Sequence, residues 1–214
     1  MKKEIWLSMV TIIGVGVLST ASQATIILDP SAQQLTENNY RSFNLTAWAG
    51  QYITTSNPYI ASVDLRIFNG VIDDTTVLNI YGSDTTNGDP DDVTLTLLAS
   101  KTVVFTSNDN TISSRYDFEG IGGVDVSAYQ GGGHRIFLEF SVSNVVGGAG
   151  ELGSFVPGPY SGFLYTSTDG GASWGTDVHN LGFSVRTSDT FIPEPATLGL
   201  LALGSLVLIR SRRR

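Results

Sequence analysis

Apolar residues recur at every second position through much of residues 25–190. Ala61, Val63, Leu65 and Ile67 alternate with Ser62, Asp64, Arg66 and Phe68. Ile136, Leu138, Phe140 and Val142 alternate with Phe137, Glu139, Ser141 and Ser143, and Leu181, Phe183 and Val185 with Gly182, Ser184 and Arg186. Val93, Leu95 and Leu97 alternate with Thr94, Thr96 and Leu98. A period of two sends alternate side chains to opposite faces of a strand, so each run predicts a half-buried β-strand. Turn signals punctuate the runs: Asn69-Gly70, Asn87-Gly88, Gly122-Gly123, Gly131-Gly132-Gly133 and Gly170-Gly171. No ten-residue stretch here carries a 3.6-residue period. Eight to ten short strands predict an all-β domain, an antiparallel β-sandwich or jelly roll.

Composition supports this. Charged residues are 15% of the chain, against about 25% in ordinary globular domains, whereas a helical bundle needs many exposed charges. The domain is large enough to bury a core without staples. The chain has no cysteine, which removes disulfides, thiol catalysis and Cys-ligated zinc or iron–sulfur centres.

Charge divides the chain of 214 residues in three. The net charge is −8, yet residues 25–195 carry 6 basic and 19 acidic groups, a net −13. An acidic middle excludes a nucleic-acid binder, which needs a basic face to displace counterions. At the first cationic end, Lys2 and Lys3 precede a mostly apolar helical stretch, Ile5 to Leu18, and then Ser22-Gln23-Ala24. This is the layout of a signal peptide, residues 1–24, cut after Ala24 by signal peptidase. At the other end, Ala196 to Ile209 is an uncharged run of 14 residues, followed by Arg210, Arg212, Arg213 and Arg214. As a helix the run is about 21 Å long, against a hydrocarbon core of about 30 Å. The arginines can snorkel and fix the cytoplasmic side, so a single transmembrane helix is expected.

Pro193-Glu194-Pro195, a short apolar segment and an arginine cluster, in that order, resemble the PEP-CTERM protein-sorting tail. The resemblance covers about the last 22 residues, within a sorting and anchor segment of residues 191–214. It implies a Gram-negative exported protein, held in the inner membrane facing the periplasm and then processed by an exosortase. The two prolines stop the helix from continuing upstream and leave the motif extended at the outer membrane face.

The middle domain resembles the exported choice-of-anchor R domain over about residues 40–186. The matching segments are Ala61 to Arg66, Val77 to Tyr81, Leu97-Leu98-Ala99, His134 to Leu138, Tyr165-Thr166-Ser167 through Trp174, and Leu181 to Val185. It implies a surface-displayed β-sandwich and no particular activity.

Five patterns bear on chemistry. Ser167, Asp169, Gly171 and Trp174 spell the Asp-box S-x-D-x-G-x-x-W, a hairpin-shaping motif and not an active site. The overlapping Gly171-Ala172-Ser173-Trp174-Gly175 spells the G-x-S-x-G of a nucleophile elbow, but a Gly-rich hairpin surrounds it instead of a strand and helix. Gly148 to Gly153 spells G-x-G-x-x-G, but no helix-forming sequence follows. Asp84, Asn87, Asp89, Asp91 and Asp92 form an oxygen-rich loop that is a candidate Ca²⁺ site, without EF-hand spacing. Otherwise no cofactor or metal is expected. Trp48, Tyr52, Tyr59, Tyr160, Tyr165 and Trp174 could form a sugar-stacking platform or fill a core.

The sequence therefore predicts a non-enzymatic envelope or extracellular-matrix protein, associated with exopolysaccharide or biofilm. The alternative is a carbohydrate-binding module. A glycan-active hydrolase is the third reading. It would need a pair of carboxylates.

Overall fold

Alternation builds two facing sheets. The computed structural model describes residues 24–34, 39–43, 48–68, 74–84, 90–91, 93–104, 112–131, 135–144, 150–155, 164–177 and 180–192. Among them fourteen strands form: β1 (Ile26–Gln34), β2 (Asn39–Phe43), β3 (Trp48–Ile53), β4 (Tyr59–Phe68), β5 (Thr75–Ser83), β6 (Leu95–Val104) and β7 (Ile112–Asp117), then β8 (Val124–Asp125), β9 (Arg135–Asn144), β10 (Gly150–Phe155), β11 (Leu164–Ser167), β12 (Gly175–Asp177), β13 (Asn180–Leu181) and β14 (Phe183–Ser188). Two 3₁₀ turns, Glu119–Ile121 and Ser127–Tyr129, link β7 to β8 and follow β8.

The first sheet runs β1-β14-β4-β10-β13, with β2 pairing β10 and with β7 and β8 pairing β4. The second runs β12-β11-β3-β9-β5-β6. The strand pairs are antiparallel. The architecture is an all-β sandwich. Among the described residues no helix is long and apolar enough to cross a membrane. The expected signal helix and C-terminal membrane helix lie outside the described residues.

The inward-facing sets fill the space between the sheets. Val63 and Leu65 of β4 and Val185 of β14 meet Leu78 and Ile80 of β5 and Ile136, Leu138 and Phe140 of β9. Two buried hydrogen bonds cross this apolar layer. Gln51 Oε1 on β3 accepts from the Leu181 N–H at 2.7 Å. The Tyr116 and Thr76 hydroxyls meet at 2.7 Å. Burial pushes the Tyr116 hydroxyl far above its ordinary range, so it stays protonated.

The extra strands are ones alternation cannot reveal. β8, β12 and β13 span two or three residues, too few for a period to show. β1 contains Pro30, tolerated because β1 is an edge strand whose register with β14 shifts between Leu28 and Gln33. The Val93–Leu98 alternation needs a correction. β6 begins at Leu95, and its register against β5 shifts between Leu97 and Ala99. This irregularity sends Leu98 onto the core and leaves Leu97 55% exposed.

Candidate functional site

The Asp-box residues form the turn between β11 and β12. The Ser167 hydroxyl donates to Asp169 Oδ1 at 2.7 Å and accepts the Gly171 N–H at 2.8 Å. Asp169 Oδ1 also accepts the Ser173 N–H at 2.9 Å, and Oδ2 accepts the Ser173 hydroxyl. Gly170 and Gly171 have φ of 75° and 84°, left-handed values that favour glycine. A Cβ on Gly171 would stand 2.7 Å from the Trp48 ring, so that ring rests on the turn's backbone. Hydrogen bonds from Ser173, then Ser167, hold the Asp169 carboxyl down at about 2. Both Asp169 oxygens are thus taken up by groups of the turn itself. Strand β12 begins at Gly175, the last of the G-x-S-x-G residues, so they lack the strand-to-helix elbow.

The turn is tied to the loop after β5. Asp91 Oδ2 accepts the Trp174 N–H at 2.9 Å, which positions the Trp174 ring edge-on against Phe137, 5.6 Å between centroids. Phe137 in turn meets Tyr52 at 4.8 Å and Tyr165 at 6.1 Å. These rings lie on the face of the second sheet turned away from the main core and form a separate apolar cluster with Tyr81 and Leu95. Gly50 makes room for it: a Cβ there would stand 2.1 Å from Phe137. Of the six aromatics singled out above, Tyr52 and Tyr165 are buried in this cluster, while Trp48, Tyr59 and Trp174 are half-buried. Tyr160 lies outside the described residues.

A carboxylate sits on the same face. Glu139 pairs in register with Gly50 on β3 and Asn79 on β5. Its Oε1 accepts from Asn79 Nδ2 at 2.7 Å, and the Tyr81 hydroxyl also bonds to it. Burial raises the Glu139 carboxyl above the ordinary range, with the Asn79 and Tyr81 hydrogen bonds opposing the shift. Burial, then the Glu139 charge, raises Tyr81. The alternation placed Glu139 opposite the inward set. The cross-strand partners that make it a polar site depend on register, which alternation leaves open.

Asp84 is exposed and just follows β5. Asn87, Asp89 and Asp92 lie outside the described residues. Among the described residues no group of three or more His, Asp or Glu side chains is placed to hold a metal ion. Gly150 to Gly153 of the G-x-G-x-x-G pattern belong to β10, and Ala24 precedes β1.

Sequence reasoning missed a site at the other end of the domain. There β14 ends at Ser188, and the chain turns back across the first sheet. The Ile192 N–H donates to the Gly122 carbonyl at 3.2 Å, and the Ile192 side chain is buried. The Phe191 ring packs edge-on against Tyr59 at 6.0 Å. Gly122 has φ of 86°, and a Cβ there would stand 2.3 Å from Phe191. Phe191 and Ile192, which the sequence assigns to the tail, are thus packed on the β-domain. Gly122-Gly123 reads in the sequence only as a turn. Pro193, Glu194, Pro195 and the four arginines lie outside the described residues.

No curated protein matches the chain. Residues 191–214 match the family described as the PEP-CTERM protein-sorting motif, a motif that indicates an exported protein processed by an exosortase.

Proposed function

We propose that this chain is a non-enzymatic protein of the cell envelope or extracellular matrix, delivered by a cleaved signal peptide and associated with exopolysaccharide. The signal peptide is cut after Ala24. The 196–209 segment then holds the precursor in the inner membrane, with the sandwich in the periplasm, until the exosortase acts at Pro193-Glu194-Pro195. The middle is a display domain similar to choice-of-anchor R. The observation that carries the reading is the sorting-motif match over residues 191–214. The non-enzymatic part is supported by the Asp-box, whose Asp169 is spent on its own turn, and by Glu139, whose partner is an amide and a phenol. A glycosidase needs two carboxylates.

The test is expression with and without the exosortase, followed by mass mapping of the mature carboxyl end. Loss of Arg210–Arg214 only when the enzyme is present supports the reading. Retention of the arginines in both overturns it.

A second reading, a carbohydrate-binding module, is favoured by one observation: half-buried Tyr81 and Trp174 stand beside Glu139 and Asn79 on one sheet face. Sugar C–H faces stack on such rings, and the amide and carboxylate suit hydroxyls. Retention of a defined glycan on an array, lost in Trp174→Ala, would support this module.

A further inference from the structure

Four exposed large hydrophobic side chains adjoin the two ends of the described chain: Ile121 at 60%, Phe191 at 56%, Ile27 at 45% and Leu28 at 43%. Ile121 precedes Gly122, whose carbonyl holds Ile192. Phe191 lies over Gly122 and against Tyr59. Across the first sheet, Ile26 of β1 is in register with Ser188 of β14, and Ser188 with Tyr59 of β4. One end of the sandwich therefore collects the start of β1, the exit after β14 and the 3₁₀ turn at Glu119–Ile121. Beside Ile121 lies a shallow cavity of about 370 Å³, lined also by Ser100, Lys101, Asp117, Phe118 and Gly120.

The tether to the apolar segment is short. Three residues separate Ile192 from Ala196, and four fully extended Cα steps reach about 14 Å at most. The polar headgroup layer on each side of a bilayer is about 5–8 Å deep. Ile192 is fixed on Gly122, so the domain cannot swing far from the point where the chain enters lipid.

We propose that this end of the sandwich is a lipid-facing foot: Ile121 and Phe191, flanked by Ile27 and Leu28, seat in the headgroup layer of the inner membrane while the tail is uncut. The proposal rests on the reading that residues 196–209 lie in that membrane. The tether length selects lipid over a second copy or another protein as the occupant, because it holds this end against the bilayer. Charge selects the lipid. Lys101 and Asp117 line the cavity beside Ile121, Asp125 is in register with Tyr59, and Asp189 follows β14. Arg115 is paired with Glu119 at 2.8 Å, and Arg186, in register with Leu28, with Asp64 at 3.5 Å, which leaves an acidic excess. Zwitterionic headgroups suit this balance, and anionic ones are repelled. Once the tether is cut, four side chains alone are too small an anchor, so the foot orients the precursor and releases the product.

The absence of cysteine makes the test direct. Single-cysteine variants of the full chain, Ile121→Cys, Leu28→Cys, Ala172→Cys and Leu201→Cys, are labelled with an environment-sensitive fluorophore. They are reconstituted in phosphatidylcholine–phosphatidylethanolamine vesicles carrying nitroxides at defined depths. Leu201→Cys reports the segment, and Ala172→Cys the Asp-box turn at the opposite end of the sandwich. The expected result is deep quenching at 201, loss of most emission to shallow nitroxides at 121 and 28, and none at 172. Quenching at 201 with 121 and 28 no different from 172 overturns the foot and leaves the membrane reading standing. No quenching at 201 overturns the membrane reading and the foot with it.

Discussion

Ile192 donates its backbone N–H to the carbonyl of Gly122 at 3.2 Å, and the residue after it is the first proline of the sorting motif. The folded domain thus sets where the processed segment begins, with no free linker between them. Everything that holds Ile192 bears on how the motif is presented.

Gly122 is the residue on which that contact depends. Its φ is 86°, and a Cβ would stand 2.3 Å from the Phe191 ring. Gly131 has the same φ with nothing within 4 Å, and Gly120 has neither constraint. Three alanine variants separate the two costs. Gly120→Ala should leave urea stability unchanged within about 0.5 kcal/mol. Gly131→Ala should lose about 1–2 kcal/mol, the left-handed penalty alone. Gly122→Ala should lose more than Gly131→Ala and make the Phe191–Ile192 bond more open to chymotrypsin. Equal losses at 122 and 131 would show that the Phe191 contact contributes nothing.

The sheets are joined by a polar contact as well as by apolar packing. Gln51→Leu keeps the volume at β3 and leaves the Leu181 N–H without its 2.7 Å acceptor. An unsatisfied buried donor costs about 1–3 kcal/mol. A drop in the urea midpoint of that size, with an unchanged slope, is the expected outcome.

Two carboxyls should give the acid limb opposite signs. Asp169 is held at about 2, below its unfolded value, so its contribution is present above about pH 4 and fades as pH falls toward 2. Glu139 is raised, so its contribution is full below its unfolded value and is lost as pH rises through the folded one. Melting curves from pH 2 to 8 check both. Asp169→Asn should lie below the parent above pH 4 and converge with it toward pH 2. Glu139→Gln, which still accepts from Asn79, should match the parent in acid and gain on it toward neutrality.

Much of this fold was legible because Val63, Leu138 and Val185 each belong to a set that faces the main core at every second position, although β9 is not half-buried as expected: its other face, with Phe137 and Glu139, is buried too. The irregularity in β6 was not legible, because one slipped residue exchanges Leu97 for Leu98 without changing composition. The sorting tail is linear and local, so Pro193-Glu194-Pro195 could be read directly. The dock of Ile192 on Gly122 joins residues distant in the chain, and no local period records it. Glu139 was visible as an outward residue, but its bond to Asn79 is set by the β5–β9 register.

Asp91 decides how the acidic loop behaves. Its Oδ2 is engaged by the Trp174 N–H, which joins the loop to the Asp-box turn and to the ring stack on Phe137. A carboxylate oxygen bonded to an amide is a poorer ligand for a hard cation, since the two compete for the same lone pairs. Chelator and excess calcium should therefore give the same melting temperature. Asp91→Ala should lower stability by about 0.5–1.5 kcal/mol and shift Trp174 emission. Asp91→Asn, whose carbonyl can still accept, should recover most of it. A melt that falls with chelator in the parent and is insensitive to it in Asp91→Ala would instead make Asp91 a calcium ligand, with Asp84, Asn87, Asp89 and Asp92 as the remaining oxygen donors.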